Sequence, residues 1–143
     1  MLSEEHLEEL EKASQIVAQS RHVVALVGAG MSAESGIPTY RGAGGLWTRI
    51  GEPDPRSFQN FAADPKGWWQ RMLDRESHPE APERAQFREA IEKANPNPGH
   101  YALVELEGTG ILRYIITQNV DNLHRVAGSI NVAEIHGNRT LLR

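Results

Sequence analysis

The sequence predicts an α/β fold: a partial Rossmann-like parallel sheet with a small helical module inserted. Three observations predict it. Residues 23–27, 111–117 and 130–133 are apolar, β-branched runs, and their alternation with helical patterns argues for parallel strands. Each run leads into a polar or glycine-rich cluster: Gly28-Ala29-Gly30, Gln118-Asn119-Val120-Asp121, and His136-Gly137. Ligands of open α/β sheets bind at the carboxyl ends of strands, where these clusters are expected to converge.

The elements follow in order. Ser3 is placed to cap a first helix, with Glu4 and Glu5 in its first turn. Leu7, Leu10 and Val17 recur at helical spacing, so that helix is expected to lay one face on the sheet. The first strand, 23–27, reads as a buried parallel strand covered on both faces. Gly28 and Gly30 let the backbone turn tightly and approach a ligand closely. A helix beginning after such a turn aims free N–H groups at an anion, typically a phosphate. The stretch therefore suggests a dinucleotide site, although Gly36 stands too far on to complete Gly-x-Gly-x-x-Gly and such turns also occur where nothing binds.

Residues 37–55 are rich in glycine and proline and read as an irregular loop, of a length usually functional or disordered. From 57 to 94 the pattern is helical and charged. Trp68, Trp69 and Met72 share one apolar face there, and Phe87 and Ile91 another. Asn95-Pro96-Asn97-Pro98-Gly99 breaks the chain before a short helix at 100–107, which Gly108-Thr109-Gly110 ends. Residues 121–127 are the expected crossover helix to the third strand. The inserted helical module is expected at about 57–107, within one domain spanning 1–143.

Composition sets limits. At 143 residues one domain is the natural count. The 24% charged and 39% hydrophobic residues suit a globular chain. A net charge of −4 offers no basic field for nucleic acid. No apolar run reaches the ~18 residues of a membrane span, and the amino terminus does not resemble a secretory signal. The absence of cysteine excludes a disulfide scaffold. A cytoplasmic setting is the default expectation. His6, His22, His78 and His100 lack metal-ligand spacing and read as ordinary.

Together, Gly28-Ala29-Gly30-x-Ser32-x-x-Ser35-Gly36-Ile37-Pro38-x-Tyr40-Arg41, Thr117-Gln118-Asn119-x-Asp121-x-Leu123-His124 and His136-Gly137 resemble the motifs of the sirtuins, the Sir2 family of NAD-dependent protein deacylases. The resemblance runs from about residue 14 to residue 143. Thr39 stands where many members carry Asp, and Tyr40 where many carry Phe. With Arg41-Gly42-Ala43-Gly44-Gly45-Leu46-Trp47 these residues look closer to the bacterial, archaeal and desuccinylase-like branches.

The resemblance implies NAD as cosubstrate and an acyl-lysine protein as substrate, with nicotinamide and O-acyl-ADP-ribose as products. Gln118 and Asn119 are placed against the nicotinamide ribose, amides suiting a site that needs donors and acceptors without net charge. Asp121 is placed on the nicotinamide carboxamide, with Ala29, Ile37 and Val120 lining that pocket. His136 is the implied general base, its ordinary pKa near neutrality suiting it to take a ribose hydroxyl proton. Asn119 is the second catalytic candidate. Gly28, Gly30, Ser32, Thr39, Tyr40, Arg41 and Trp47 complete the implied NAD-binding set. The guanidinium of Arg41 suits phosphate, and the Tyr40 ring is expected to shield the intermediate from water. His124 is expected to play a structural hydrogen-bonding role.

Acyl preference is sought at Met72 and Arg75. Desuccinylating sirtuins carry Tyr-x-x-Arg there, but Met replaces Tyr here and Asp74 adds a negative charge. A lone Arg holds a carboxylate less well, so the expectation is deacetylation or removal of apolar acyl groups. Met72 also suits plain core packing.

Sirtuins continue past His-Gly with a four-cysteine zinc module and the half of the sheet that holds adenosine. Neither is found in these 143 residues, so zinc, expected of the complete family domain, has no ligands here. The chain resembles the first half of a sirtuin, to be completed by a missing C-terminal half or a second chain. Alone it is expected to expose strand surface, fold poorly or bind NAD weakly. The alternatives are an NAD hydrolase or ADP-ribosyltransferase, and a non-catalytic NAD-binding fragment.

Overall fold

Three parallel strands, β1 (Val23–Val27), β2 (Leu112–Thr117) and β3 (Val132–Glu134), form one sheet in the order β1-β2-β3. The computed structural model describes residues 3–74 and 81–141. Around the strands run α1 (Glu4–Gln19), α2 (Leu46–Ile50), α3 (Ser57–Ala63), α4 (Pro65–Leu73), α5 (Pro82–Lys93), α6 (Pro98–Gly108) and α7 (Leu123–Ala127). A 3₁₀ helix, Ala29–Ser35, follows β1.

The chain divides into two compact units, one of Met1–Ser35 with Asn95–Arg143 and the other of Gly36–Ala94. The first holds the sheet. Central β2 supplies its core, with Ile115 and Leu112 buried, and Val24 pairs Tyr114 while Val27 pairs Thr117. α6 packs on β2 and on α7, so it belongs with the sheet, whereas the sequence reading grouped it with the inserted module. Asn97 caps it and His100 reaches back from the third position to the Asn97 N–H, a reciprocal arrangement that Pro98 at the first turn favours. At its far end, Glu107 accepts from the backbone N–H groups of Ile130 and Asn131 and from the Asn131 side chain. Burial pushes the Glu107 carboxyl up, but these three donors outweigh it and hold the carboxyl below its ordinary value. That bond set delivers the chain into β3.

Two expectations are corrected here. β1 is not covered on both faces: it alternates, with Val24 and Leu26 exposed. Nor does α1 seat an apolar face on the sheet. No residue of α1 is buried; Leu7, Leu10 and Ile16 are exposed and Val17 is half-buried. Local terms form that helix instead: the Ser3 side chain accepts from the His6 N–H, and Glu4 and Glu5 complement the dipole.

In the second unit, residues read as an irregular loop contain α2, a single turn between Gly45 and Gly51. Its entry is tight, since a Cβ at Gly45 would lie 2.8 Å from the Tyr40 oxygen. α2 packs on α5, where Phe87 is buried. Trp68 meets Phe61 and Trp69 edge-on, yet Trp69 and Met72 are exposed rather than core. Asp64 caps α4 by accepting from Gly67.

Candidate functional site

At the carboxyl ends of β1 and β2 one connected set of polar groups is buried. β2 ends at Thr117, whose hydroxyl oxygen accepts from the Asn119 N–H at 3.0 Å. That turn aims the Asn119 side chain toward β1, where its amide donates to the Gly28 carbonyl and to Ser32 Oγ, both at 3.1 Å. Ser32 Oγ donates onward to Asp121 Oδ2 at 2.7 Å. The other oxygen, Oδ1, accepts from the Leu123 N–H at 3.0 Å and starts α7. Ser32, Asn119 and Asp121 are each less than a tenth exposed. A buried carboxylate is tolerable when it accepts such bonds, and two oxygens leave Asp121 with acceptor capacity beyond these two donors.

The predicted residues of this unit therefore converge in part. Ser32, Asn119 and Asp121 form the buried set, joined by the carbonyl of half-buried Gly28, while Gln118 is exposed on the same loop with its backbone N–H on the Val27 carbonyl. A Cβ added at Gly28 would lie 3.9 Å from Gln118 Nε2, so the absent side chain leaves a small cradle beside that amide. Neither Gly28 nor Gly30 has a positive φ, and a Cβ at Gly30 would meet nothing within 4 Å. Gly36, at φ +87°, is the glycine of this motif that conformation demands. Ala29, Gly30 and Ser32 lie in the helix expected after the glycine turn, which is a 3₁₀ helix. Val120 is half-buried, its carbonyl accepting from the Arg139 N–H. His136 stands exposed in the turn after β3.

Within the electrostatic reach of Asp121 lies a pair with no signature in the sequence. His100 and His124 are buried, with ring centroids 4.9 Å apart. The expected hydrogen-bonding role of His124 is not observed: neither of its ring nitrogens has a partner, and His100 Nε2 has none. Burial drives both pKa values down, and the His100 ring lowers that of His124 further. The Asp121 charge opposes this at both rings and Glu134 at His124, without reversing it. Asn97 was also missed. Its side chain donates to the Met31 carbonyl at 2.8 Å and to Ser35 Oγ at 3.1 Å, pinning the 3₁₀ helix to the start of α6. Its sequence signal is an asparagine before proline at a helix start, within a segment that also reads as a chain break.

The remaining candidates belong to the other unit. Ile37 is buried there. Tyr40 packs against Trp47 and Phe87 at 4.9 and 5.2 Å. The Arg41 guanidinium lies 4.5 Å from the Trp47 ring centroid and pairs with Glu52 at 2.9 Å. That bond holds the Glu52 carboxyl below its ordinary value and raises the Arg41 pKa. The Thr39 hydroxyl donates to the Arg41 carbonyl. Arg75 lies outside the described residues. Among the described residues no group of three His, Asp or Glu side chains could hold a metal, and no helix is long and apolar enough to cross a membrane.

Known proteins give this geometry its context. The Sir2 family model matches residues 28–143. The NAD-dependent protein deacetylase of Caldivirga maquilingensis is 48% identical over 136 residues, 95% of this chain and 48% of that protein. The NAD-dependent protein deacylase of Pyrococcus abyssi is 46% identical over 125 residues, 87% of this chain and 45% of its own length. A solved Sir2 homologue in complex with NAD superposes with a TM-score of 0.60 at 44% identity, covering 90% of this chain and 45% of that one. The chain spans about half the length of the curated relatives it matches. On the family match, these identities and the shared fold, the chain belongs to the Sir2 family.

Proposed function

We propose that this chain supplies the nicotinamide-side, catalytic part of an NAD-dependent protein-lysine deacylase that releases nicotinamide and forms O-acyl-ADP-ribose. The observation that carries the reading is the buried Ser32–Asn119–Asp121 set at the ends of β1 and β2. It fixes a carboxylate and an amide before any ligand arrives, so little reorganisation is needed when charge develops. The cradle at Gly28 beside the exposed Gln118 amide is compatible with a sugar or carboxamide there.

On this reading Asp121 accepts from the nicotinamide carboxamide, beside Ala29 and Val120, while Gln118 and Asn119 hold the ribose. His136, exposed at the end of β3, takes the proton of a ribose hydroxyl. That oxygen then attacks the acyl carbon, already joined to the sugar through the former amide oxygen that displaced nicotinamide; the lysine amine takes up a proton and leaves, and water adds to the resulting cation to give O-acyl-ADP-ribose. In the other unit Arg41 is the proposed phosphate ligand. Trp47 stacking and the Glu52 pair already orient its guanidinium, with Thr39 and Tyr40 as neighbours in sequence. Met72 and Arg75 remain the proposed acyl-group residues. The part of the relatives' length that this chain does not span is the proposed source of adenosine contacts and zinc ligands. The proposed setting is the cytoplasm.

The experiment incubates NAD and acetyl-, succinyl- and long-acyl-lysine peptides with this chain, alone and with the remaining half of the C. maquilingensis relative. Mass spectrometry reads the products. Freed lysine with O-acyl-ADP-ribose is the expected result when the two halves are combined. Free ADP-ribose with every peptide unchanged would establish an NAD hydrolase instead.

A further inference from the structure

We propose that Glu134, clamped by Arg125 and Asn138, is a positioning residue for His136; the proposal rests on the reading of His136 as the general base. Glu134 is the last residue of β3, and its side chain is only 3% exposed. A carboxylate taken out of water is costly unless it is paired, so the residue needs a compensating structure. Arg125 on α7 supplies one in fork geometry, Nε to Oε1 and Nη2 to Oε2, each at 3.3 Å. The same guanidinium donates to the Val132 carbonyl at 3.1 Å. One side chain thus straps both ends of a three-residue strand to the crossover helix.

The far side of the His136 turn is closed as well. The Asn138 amide donates both to Glu134 Oε1 and to Asn122 Oδ1, the latter at 2.8 Å. The Gly137 N–H returns to the Glu134 carbonyl, and the Arg139 N–H reaches the Val120 carbonyl. His136 therefore sits at the tip of a turn whose two ends are tied to each other and to residues 120–122, the loop that carries Asp121. Asn122 holds a left-handed φ of 67°, a conformation that asparagine adopts more readily than most other non-glycine residues. A strand of three residues cannot fix that register by its own ladder; the buried carboxylate does.

The test compares Glu134→Gln and Glu134→Asp with the unaltered chain and with His136→Ala. Amide exchange is read at Gly137 and Arg139, with the β1–β2 ladder as internal control. Glu134→Gln is expected to lower protection at Gly137 and Arg139 at least tenfold while ladder protection holds within threefold, with Glu134→Asp intermediate. Unchanged protection at Gly137 and Arg139, or equal loss throughout the sheet, overturns the proposal. Catalysis is read beside it in the completed enzyme. Glu134→Gln should lower O-acyl-ADP-ribose formation tenfold or more but change nicotinamide exchange into NAD less than threefold, because exchange needs no proton removed by His136. Equal loss of both reactions also overturns it. Full product formation by His136→Ala would sink the general-base reading instead, a result separable from the exchange data.

Discussion

Replacing Asn97 by Ala removes four interactions of one buried side chain. Its Oδ1 accepts from the Gly99 and His100 N–H groups, and its amide donates to the Met31 carbonyl and Ser35 Oγ. Loss of an N-cap costs about 1 kcal/mol. Losing the two partly buried bonds of its amide, to the Met31 carbonyl and the Ser35 hydroxyl, costs about 1–3 kcal/mol more. The expected destabilisation is therefore about 2–4 kcal/mol, a large share of a small domain's stability. Asn97→Asp separates the terms. A carboxylate caps as well as an amide, and the Ser35 hydroxyl can turn to donate to it. Only the Met31 contact is lost, replaced by two facing oxygens. Urea unfolding of both variants, followed by far-UV circular dichroism and read with the slope m held as a check, measures each cost. A loss below about 0.5 kcal/mol for Asn97→Ala would refute the claim that this side chain joins the 3₁₀ helix to α6.

Other predictions follow from the same structure. His100 and His124 have folded pKa values below the ordinary 6.5 of an unfolded chain. Between the folded and unfolded values the unfolded chain binds more protons, so their contribution is complete above pH 6.5 and is lost as pH falls below it. Each histidine adds a slope of up to about 1.4 kcal/mol per pH unit; urea midpoints from pH 7.5 to 5 should fall, and His124→Leu should flatten the fall. A Cβ at Gly67 would lie 1.9 Å from Asp64 Oδ2, so Gly67→Ala should expel the α4 cap and cost about 0.5–2 kcal/mol; if Asp64→Ala then adds a further equal loss, the two do not act together. Ser32→Ala should cost about 1–3 kcal/mol by stripping Asp121 and Asn119 of a buried partner, and calorimetry that finds no change would contradict the network. Arg41→Ala removes an exposed pair, so its thermal midpoint should hardly move, while NAD affinity of the completed enzyme should fall at least tenfold; unchanged affinity would remove Arg41 from the proposed phosphate site.

The strands were legible because apolar β-branched runs bounded by glycine and amide clusters have few other uses. Polar residues after a strand also marked where a site forms, and Asn119 and Asp121 lie there. Periodicity failed where packing decides: α1 carries Leu7, Leu10 and Val17 at helical spacing yet buries none of them, since spacing states that a face exists and not what covers it. α2 was hidden because five residues between glycines give too short a window. The His100–His124 pair was illegible for a different reason. Its chemistry arises from two helices brought together across β2, and neither residue carries a local sign of its neighbour. Glu134 was passed over likewise, since a single charge ending a strand usually faces water.

The Ser35–Asn97 hydrogen bond has a further consequence for how this protein can vary. It joins the last residue of the first segment of the sheet-bearing unit to the start of its return, so the whole of Gly36–Ala94 enters and leaves through a closed neck. Loop-closure entropy grows only slowly with length, and the two ends of this segment are already held together within the sheet-bearing unit. A change in the length of the intervening segment is therefore expected to carry little closure cost for the unit that holds the sheet.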